Sequence, residues 1–410
     1  MELVRKSQSS PFTVPPIDVD EHSPETELLM CCARTQVDDK TAAQIQDLVD
    51  ASIDWNHVLK YADEHMVLPL VHHTLSKAAP NSVPTPVQNR LRARFRNHVR
   101  NNLLLTHELL NLLGLFDEHG IPVLPLKGPV AAASVYGDLN LRPFVDLDLL
   151  VHLQDVPRAQ ELLLSQQYEK TKSLPTHFDQ PTSWRLILTE PASKELPFVR
   201  DSGKEVPMRV ELHWDLAPRN FQYPLDPDSL WERLRTVTLL DKRVRTFSPE
   251  DTLLYFCLHG TLHRWKPLRL VCDVAELLQR HPELNWEWLL NEAERLHSKR
   301  LLLLGLRLSH ELLEAPLPSS IRKRVYSHDA VASLTELVLP RLLRRSRDVT
   351  AHPLPWEWEP IAFYLQVRDR LRDGIGSCIQ HTRRGLGWYI YHSDSTLPAS
   401  LRKWWKRLSK

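Results

Sequence analysis

Apolar positions recur with a helical period from about residue 25 to residue 118. After Trp55, residues Val58, Tyr61, Ala62, Met66 and Leu68 fall on one side of a predicted helix, because side chains three and four apart share a face. Pro80, Pro84 and Pro86 separate it from a long helix over about 87–118. At Gly120 the period changes. Residues 121–126 form a short apolar run after a helix-ending glycine and predict a buried strand. Residues 130–136 predict a helix, 144–152 a second strand and 156–168 a second helix. Residues 184–189, 196–200 and 208–214 extend the strand pattern, the last two as a hairpin around Asp201-Ser202-Gly203-Lys204. Ser248-Pro249-Glu250-Asp251 is a helix-start signal. The remainder is mostly helical, with Leu-rich stretches at 301–313 and 334–343 broken by Pro353-Leu354-Pro355.

The expected fold class is therefore α+β. A tail over 1–23 precedes a helical region (24–118), a small mixed-sheet domain (119–246) and a second helical region (247–410). Composition narrows the function. With 52 Lys+Arg against 51 Asp+Glu, a net charge of +1 excludes a wholesale basic coat for nucleic acid. Only 11 glycines in 410 residues argue against Gly-rich dinucleotide folds. No apolar run reaches the roughly 18 residues of a membrane span, and the first residues lack an apolar signal core. The five cysteines show no CxxC spacing, so no zinc ribbon or disulfide framework is expected. A cytoplasmic protein is the expectation. Charge is nonetheless uneven: residues 331–410 carry 14 Lys/Arg and 7 Asp/Glu, or +7 against −6 for the rest.

Asp146 and Asp148 carry the candidate chemistry. In a strand, alternate side chains share a face. The two carboxylates therefore point one way, and Val145, Leu147, Leu149 and Val151 the other. Adjacent carboxylates repel unless a cation neutralises them, and a hard divalent ion with oxygen ligands does so. Composition alone produces roughly six acid-x-acid pairs in a chain this acidic, so context must carry the reading. Here the context is an apolar strand, a preceding Lys127-Gly128 turn and a third acid. Glu211 shares a face with Arg209 and His213, opposite Met208, Val210, Leu212 and Trp214. It is a candidate third carboxylate of a two-metal site.

Lys127-Gly128, Arg142, Asp146-Leu147-Asp148-Leu149-Leu150-Val151 and Val210-Glu211-Leu212-His213-Trp214 together resemble the uncharacterised bacterial nucleotidyltransferases of the polymerase-β-like superfamily. The resemblance continues through His259, His263, Trp265 and residues 268–273, and covers roughly 50–310. It implies a metal-dependent transfer of a nucleoside monophosphate from an NTP, such as ATP, to an acceptor, with release of pyrophosphate. Asp146, Asp148 and Glu211 would hold Mg²⁺ or Mn²⁺, with metals about 3.5–4 Å apart clamping the attacking and leaving oxygens; Glu211 is alternatively the general base. Lys127, Gly128 and Arg142 would bind the nucleotide phosphates. The superfamily turn is Gly-Ser; here Pro129 follows Gly128. Lys127, or backbone N–H groups opening the next helix, would then replace the serine contact.

His259 and His263 are one helical turn apart, a spacing that suits zinc, but Gly260 stands where a metalloprotease has Glu, and helix packing is the expected role. The alternative places His213, His259, His263 and Arg269 on the wall of the nucleotide cleft. Asp273 is expected to pair with Arg269, and Trp265 to lie in the core. Cys31-Cys32 have no evident histidine partner for a nucleophile. Leu401, Trp404, Trp405 and Leu408 form an apolar stripe within a basic helix over 401–410, which suits docking on its own domain or a weak contact with a membrane surface. The acceptor is open among small molecules, peptides and proteins, with nucleic acid disfavoured by the near-neutral charge. The competing reading is a catalytically silent nucleotide- or partner-binding module of the same fold.

Overall fold

Capping side chains set the first helix starts. Ser23, Asp38 and Asp54 accept backbone N–H groups of the first turns of α1 (Pro24–Cys32), α2 (Asp39–Asp50) and α3 (Trp55–Glu64). The computed structural model describes residues 23–171, 194–201, 203, 207–221, 223–225, 227–343, 358–370, 372–375 and 378. The expected tail up to residue 22, the predicted strand at 184–189 and the basic segment 401–410 lie outside them.

The single helix expected through Leu68 is two. Met66, at φ 55°, turns the chain between α3 and α4 (Leu68–Ala78). Burial of Val67 and Leu68 behind the turn offsets a backbone strain of about 1 kcal/mol. α5 (Thr85–Glu118) runs for 34 residues with Pro86 in its first turn, where proline is tolerated.

Next come β1 (Val123–Pro125), α6 (Pro129–Ala131, continued by a π turn over Ala132–Tyr136), β2 (Leu147–Val151), α7 (Val156–Ser165), β3 (Glu169–Lys170), β4 (Glu195–Arg200) and β5 (Met208–His213). They build one mixed sheet in the order β1-β2-β5-β4-β3. β2 and β5 are parallel; the other neighbours are antiparallel. The β4–β5 hairpin is as expected. Strand β2 begins later than the pattern suggested, because Val145 sits in a bend and is 57% exposed instead of joining the apolar face. The residues of β2 are buried on both faces. Leu147, Leu149 and Val151 pack into one cluster with Leu105, Leu109 and Phe116 of α5 and Leu163 of α7. Leu150 turns the other way, into a cluster shared by the helices that precede and follow the sheet.

After α8 (Pro227–Glu232), the strands β6 (Arg235–Leu239) and β7 (Lys242–Thr246) form a hairpin that the pattern did not separate, its outward positions being Arg, Lys and Thr. Ser248 caps α9 (Pro249–Leu262) at Asp251 N–H, as the start signal predicts. The rest is α10 (Arg269–Arg280), α11 (Trp286–Arg295), α12 (Lys299–Leu313), α13 (Ser319–Tyr326), α14 (Asp329–Leu343) and α15 (Trp358–Val367). Trp265 is fully buried, as expected. Two glycines make its room: a Cβ at Gly260 would lie 2.7 Å from the indole, and one at Gly305 2.8 Å from it and 2.5 Å from Cys257 Sγ. Asp369, beyond α15, accepts the Lys299 and Arg300 N–H groups at 2.7 and 3.1 Å and so ties the end of the described chain to the start of α12.

Candidate functional site

Register brings the acids together. In the parallel β2–β5 pair Asp148 is opposite Glu211 and Leu150 opposite His213, so Glu211 and His213 project from the same face of β5 beside Asp148. The β4–β5 pairing sets Glu195 directly across from His213. Lys127 leaves the end of β1 and reaches the same spot, with its Nζ 3.0 Å from Asp148 Oδ2 and 3.5 Å from Asp146 Oδ1.

These groups line a cavity of about 230 Å³, together with Lys194, Phe221, Tyr255, His259, His263 and Tyr364. Helix α9 thus supplies one wall and α15 another. His259 lies within the wall and His263 at its exposed rim, their ring centroids 4.5 Å apart. Burial, reinforced by the nearby Lys127, holds the His259 imidazole well below its usual pKa and keeps it neutral.

Asp148 is the most enclosed acid, its side chain 1% exposed. Its Oδ1 lies 3.1 Å from His213 Nε2. Burial opposes its charge, but Lys127 and His213 outweigh that and hold the carboxyl well below the ordinary aspartate range. Lys127 is the mirror case: desolvation works against the ammonium, and Asp148 with Asp146 still raises its pKa. For Glu211, the His213 contact pulls downward, yet burial and repulsion from Asp148 and Glu195 raise the net value. His213 is pulled down by burial and Lys194, and raised on balance by Glu195 and Asp148.

The donor set fits a divalent ion. Asp148, Glu211 and His213 each offer one ligand atom within 4.8 Å of the others. Asp148 Oδ2 is buried, with the Lys127 ammonium 3.0 Å away. Two carboxylates beside one imidazole, rimmed by further acids, suit a cation better than an anion.

Two expected nucleotide or cleft residues, Arg142 and Arg269, are bound up elsewhere. Arg142 is 1% exposed and gives Nε and Nη2 to Asp273 Oδ1 and Oδ2 at 2.7 and 2.8 Å, instead of facing the cavity. Its carbonyl accepts from Asn102. Arg269 donates to the same Asp273 at 3.0 Å, which is the expected i, i+4 pair, and Tyr136 completes the cluster. Arg142 and Tyr136 therefore hold α10 against the segment leading into β2, and Arg269 braces Asp273 from within α10. Gly128 lies under Asp146, at φ 65° and ψ −127°, a conformation that only glycine adopts without strain. The cysteines are buried, and burial raises the Cys32 thiol, which favours its protonated form. Lys194, Glu195 and the aromatic wall were not anticipated; only strand register and helix packing bring them here. Among the described residues no helix is long and apolar enough to cross a membrane.

No curated protein matches the chain. Among solved structures, an antigenic nucleotidyltransferase-like protein from Paracoccidioides brasiliensis is similar over 55% of this chain and 96% of its own, at 18% identity and a TM-score of 0.32. A family model described as uncharacterised nucleotidyltransferase matches residues 51–314, well over half of the sequence, and the chain belongs to that family.

Proposed function

We propose that the cavity catalyses metal-dependent transfer of a nucleoside monophosphate from an NTP to an acceptor, releasing pyrophosphate. The observation that carries this reading is the register of Asp148 against Glu211, which brings two carboxylates from separate strands to one cavity beside Lys127. A divalent ion such as Mg²⁺ or Mn²⁺, held by Asp148 and Glu211 with Asp146 at its edge, would neutralise phosphate charge there.

The chain's own groups have defined tasks. Lys127 bridges the two aspartates and exchanges part of that contact for phosphate oxygens when a triphosphate enters. Glu211, with its pKa raised, accepts the proton of an acceptor hydroxyl. Tyr255, Phe221 and Tyr364 exclude water from the back of the cavity. The acceptor is a small molecule, a peptide or a protein, and the site of action is the cytoplasm.

Pyrophosphate release from a panel of NTPs, with and without divalent ion, tests the proposal. The wild type is expected to turn over and Asp148→Asn to lose at least a hundredfold. Equal inertness of both with every acceptor class would favour a silent binding module.

A further inference from the structure

We propose that His213 is itself a metal ligand, oriented by Glu195, and that this nitrogen donor makes the site prefer a borderline first-row ion such as Mn²⁺ or Co²⁺ over Mg²⁺. The inference rests on the reading of this cavity as a divalent-ion site and adds which ion it selects and which residue selects it.

Three observations carry it. First, His213 Nε2 lies 3.1 Å from Asp148 Oδ1 and 3.6 Å from Glu211 Oε2. Ligand atoms each about 2.1 Å from one ion and at right angles sit about 3.0 Å apart, and somewhat further in a tetrahedron. The two distances from Nε2 are close to those values, and the three residues' ligand atoms all lie within 4.8 Å of one another. Second, the other ring nitrogen has the partner that a ligating histidine requires. Nδ1 lies 3.4 Å from both Glu195 Oε2 and Lys194 Nζ, and β4–β5 register places Glu195 and His213 face to face. With the proton on Nδ1 and directed at Glu195, the Nε2 lone pair faces Asp148 and Glu211, the arrangement of a carboxylate–histidine–metal relay. Lys194 hydrogen-bonds Glu195 and fixes that carboxylate in turn. Third, the His213 and Asp148 side chains are 2% and 1% exposed, so two of the three donors are shielded from bulk water. Imidazole is a poor donor for Mg²⁺, which keeps oxygen ligands and water, and a good one for the later divalent ions.

The test uses the full-length, metal-stripped protein. Mn²⁺ binding is measured by loss of the free-ion EPR signal, with Mg²⁺ as competitor, and pulsed EPR of the Mn²⁺-loaded wild type looks for coupling to a ligand ¹⁴N. The expected result is ¹⁴N coupling and Mn²⁺ binding at least tenfold tighter than Mg²⁺. His213→Gln should abolish the coupling and erase the preference, and Glu195→Gln should weaken Mn²⁺ by about 10–100-fold. Mn²⁺ bound without ¹⁴N coupling in the wild type overturns the inference and leaves the metal-site reading standing, whether or not the variants fold. No binding of either ion overturns both.

Discussion

Asp148 and Glu211 are register partners on parallel strands, yet their surroundings push their pKa values in opposite directions. Asp148 is enclosed between Lys127 and His213. Glu211 is a third exposed and repelled by Asp148 and Glu195. Neutralising the two therefore has unequal consequences. Asp148→Asn leaves Lys127 buried with Asp146 as its remaining close carboxylate, and is expected to destabilise the metal-free protein by about 3 kcal/mol, near the lower end for breaking a buried pair. Glu211→Gln removes a repulsion and should leave the melting temperature unchanged or raised. Both should weaken Mn²⁺ binding. Thermal melts with and without chelator check the asymmetry, and a large loss of stability in Glu211→Gln would contradict it.

Lys127 acts as a resident cation between Asp146 and Asp148. Lys127→Met preserves most of the apolar stem and removes the charge, leaving Asp146 without its ammonium partner and Asp148 with His213 alone. The variant is expected to melt several degrees below wild type in chelator, at a cost of about 3 kcal/mol. Added Mn²⁺ should recover more stability in the variant than in wild type, because ligand binding to the native state stabilises by mass action. Differential scanning calorimetry over a metal series measures this. Equal metal-induced shifts in the two proteins would rule out the lysine as a stand-in for the ion.

Arg142 and Asp273 are separated by 131 positions in the chain and joined by two hydrogen bonds in the interior. Arg142→Met leaves Asp273 with Arg269 and Tyr136 only, and is expected to cost about 3–5 kcal/mol in urea unfolding. Arg142→Lys keeps the charge but loses the forked geometry, and should fall between. The nucleotide KM of whatever folded enzyme remains should change little, because the side chain does not line the cavity. A KM rise of tenfold or more in Arg142→Lys would restore the phosphate contact that the motif suggests.

The parts of this site that were legible in the sequence are those governed by the two-residue period of a strand. Asp148 is on an apolar strand and Glu211 shares a face with His213 whatever the rest of the chain does. Register is different. Which residue stands opposite His213 depends on how β4 slides along β5, and nothing in the local pattern marks Glu195. The same holds for Arg142: its position before the acidic strand suggests a phosphate contact, while a carboxylate 131 residues away decides its role. Val145 and Met66 show a third kind of gap. Each continues a periodic pattern in the sequence, and each is turned out of it by a bend or a left-handed backbone. The β6–β7 hairpin was hidden because its outward face is Arg, Lys and Thr and few inward apolar positions mark it.

His65 ties the first helical region to the start of α10. Its Nδ1 accepts the Leu268 N–H at 3.1 Å, and its carbonyl accepts the Arg269 N–H at 3.2 Å. The ring is fully buried, and burial with help from Lys266 pushes its pKa down to about 3 from 6.5. In the unfolded chain the same imidazole takes up a proton below pH 6.5, whereas the folded one refuses it until about pH 3. The unfolded state therefore binds more protons across that window, and stability falls as the pH is lowered through it, by up to about 1.4 kcal/mol per unit from this group. His259 and His98 are shifted the same way and steepen the acid limb. His65→Asn should be less stable at pH 7.5 yet lose stability more slowly between pH 6.5 and 4.5, as read from urea midpoints at each pH. Parallel slopes for the two proteins would show that the ring protonates readily in the native state and that its burial does not govern the acid limb.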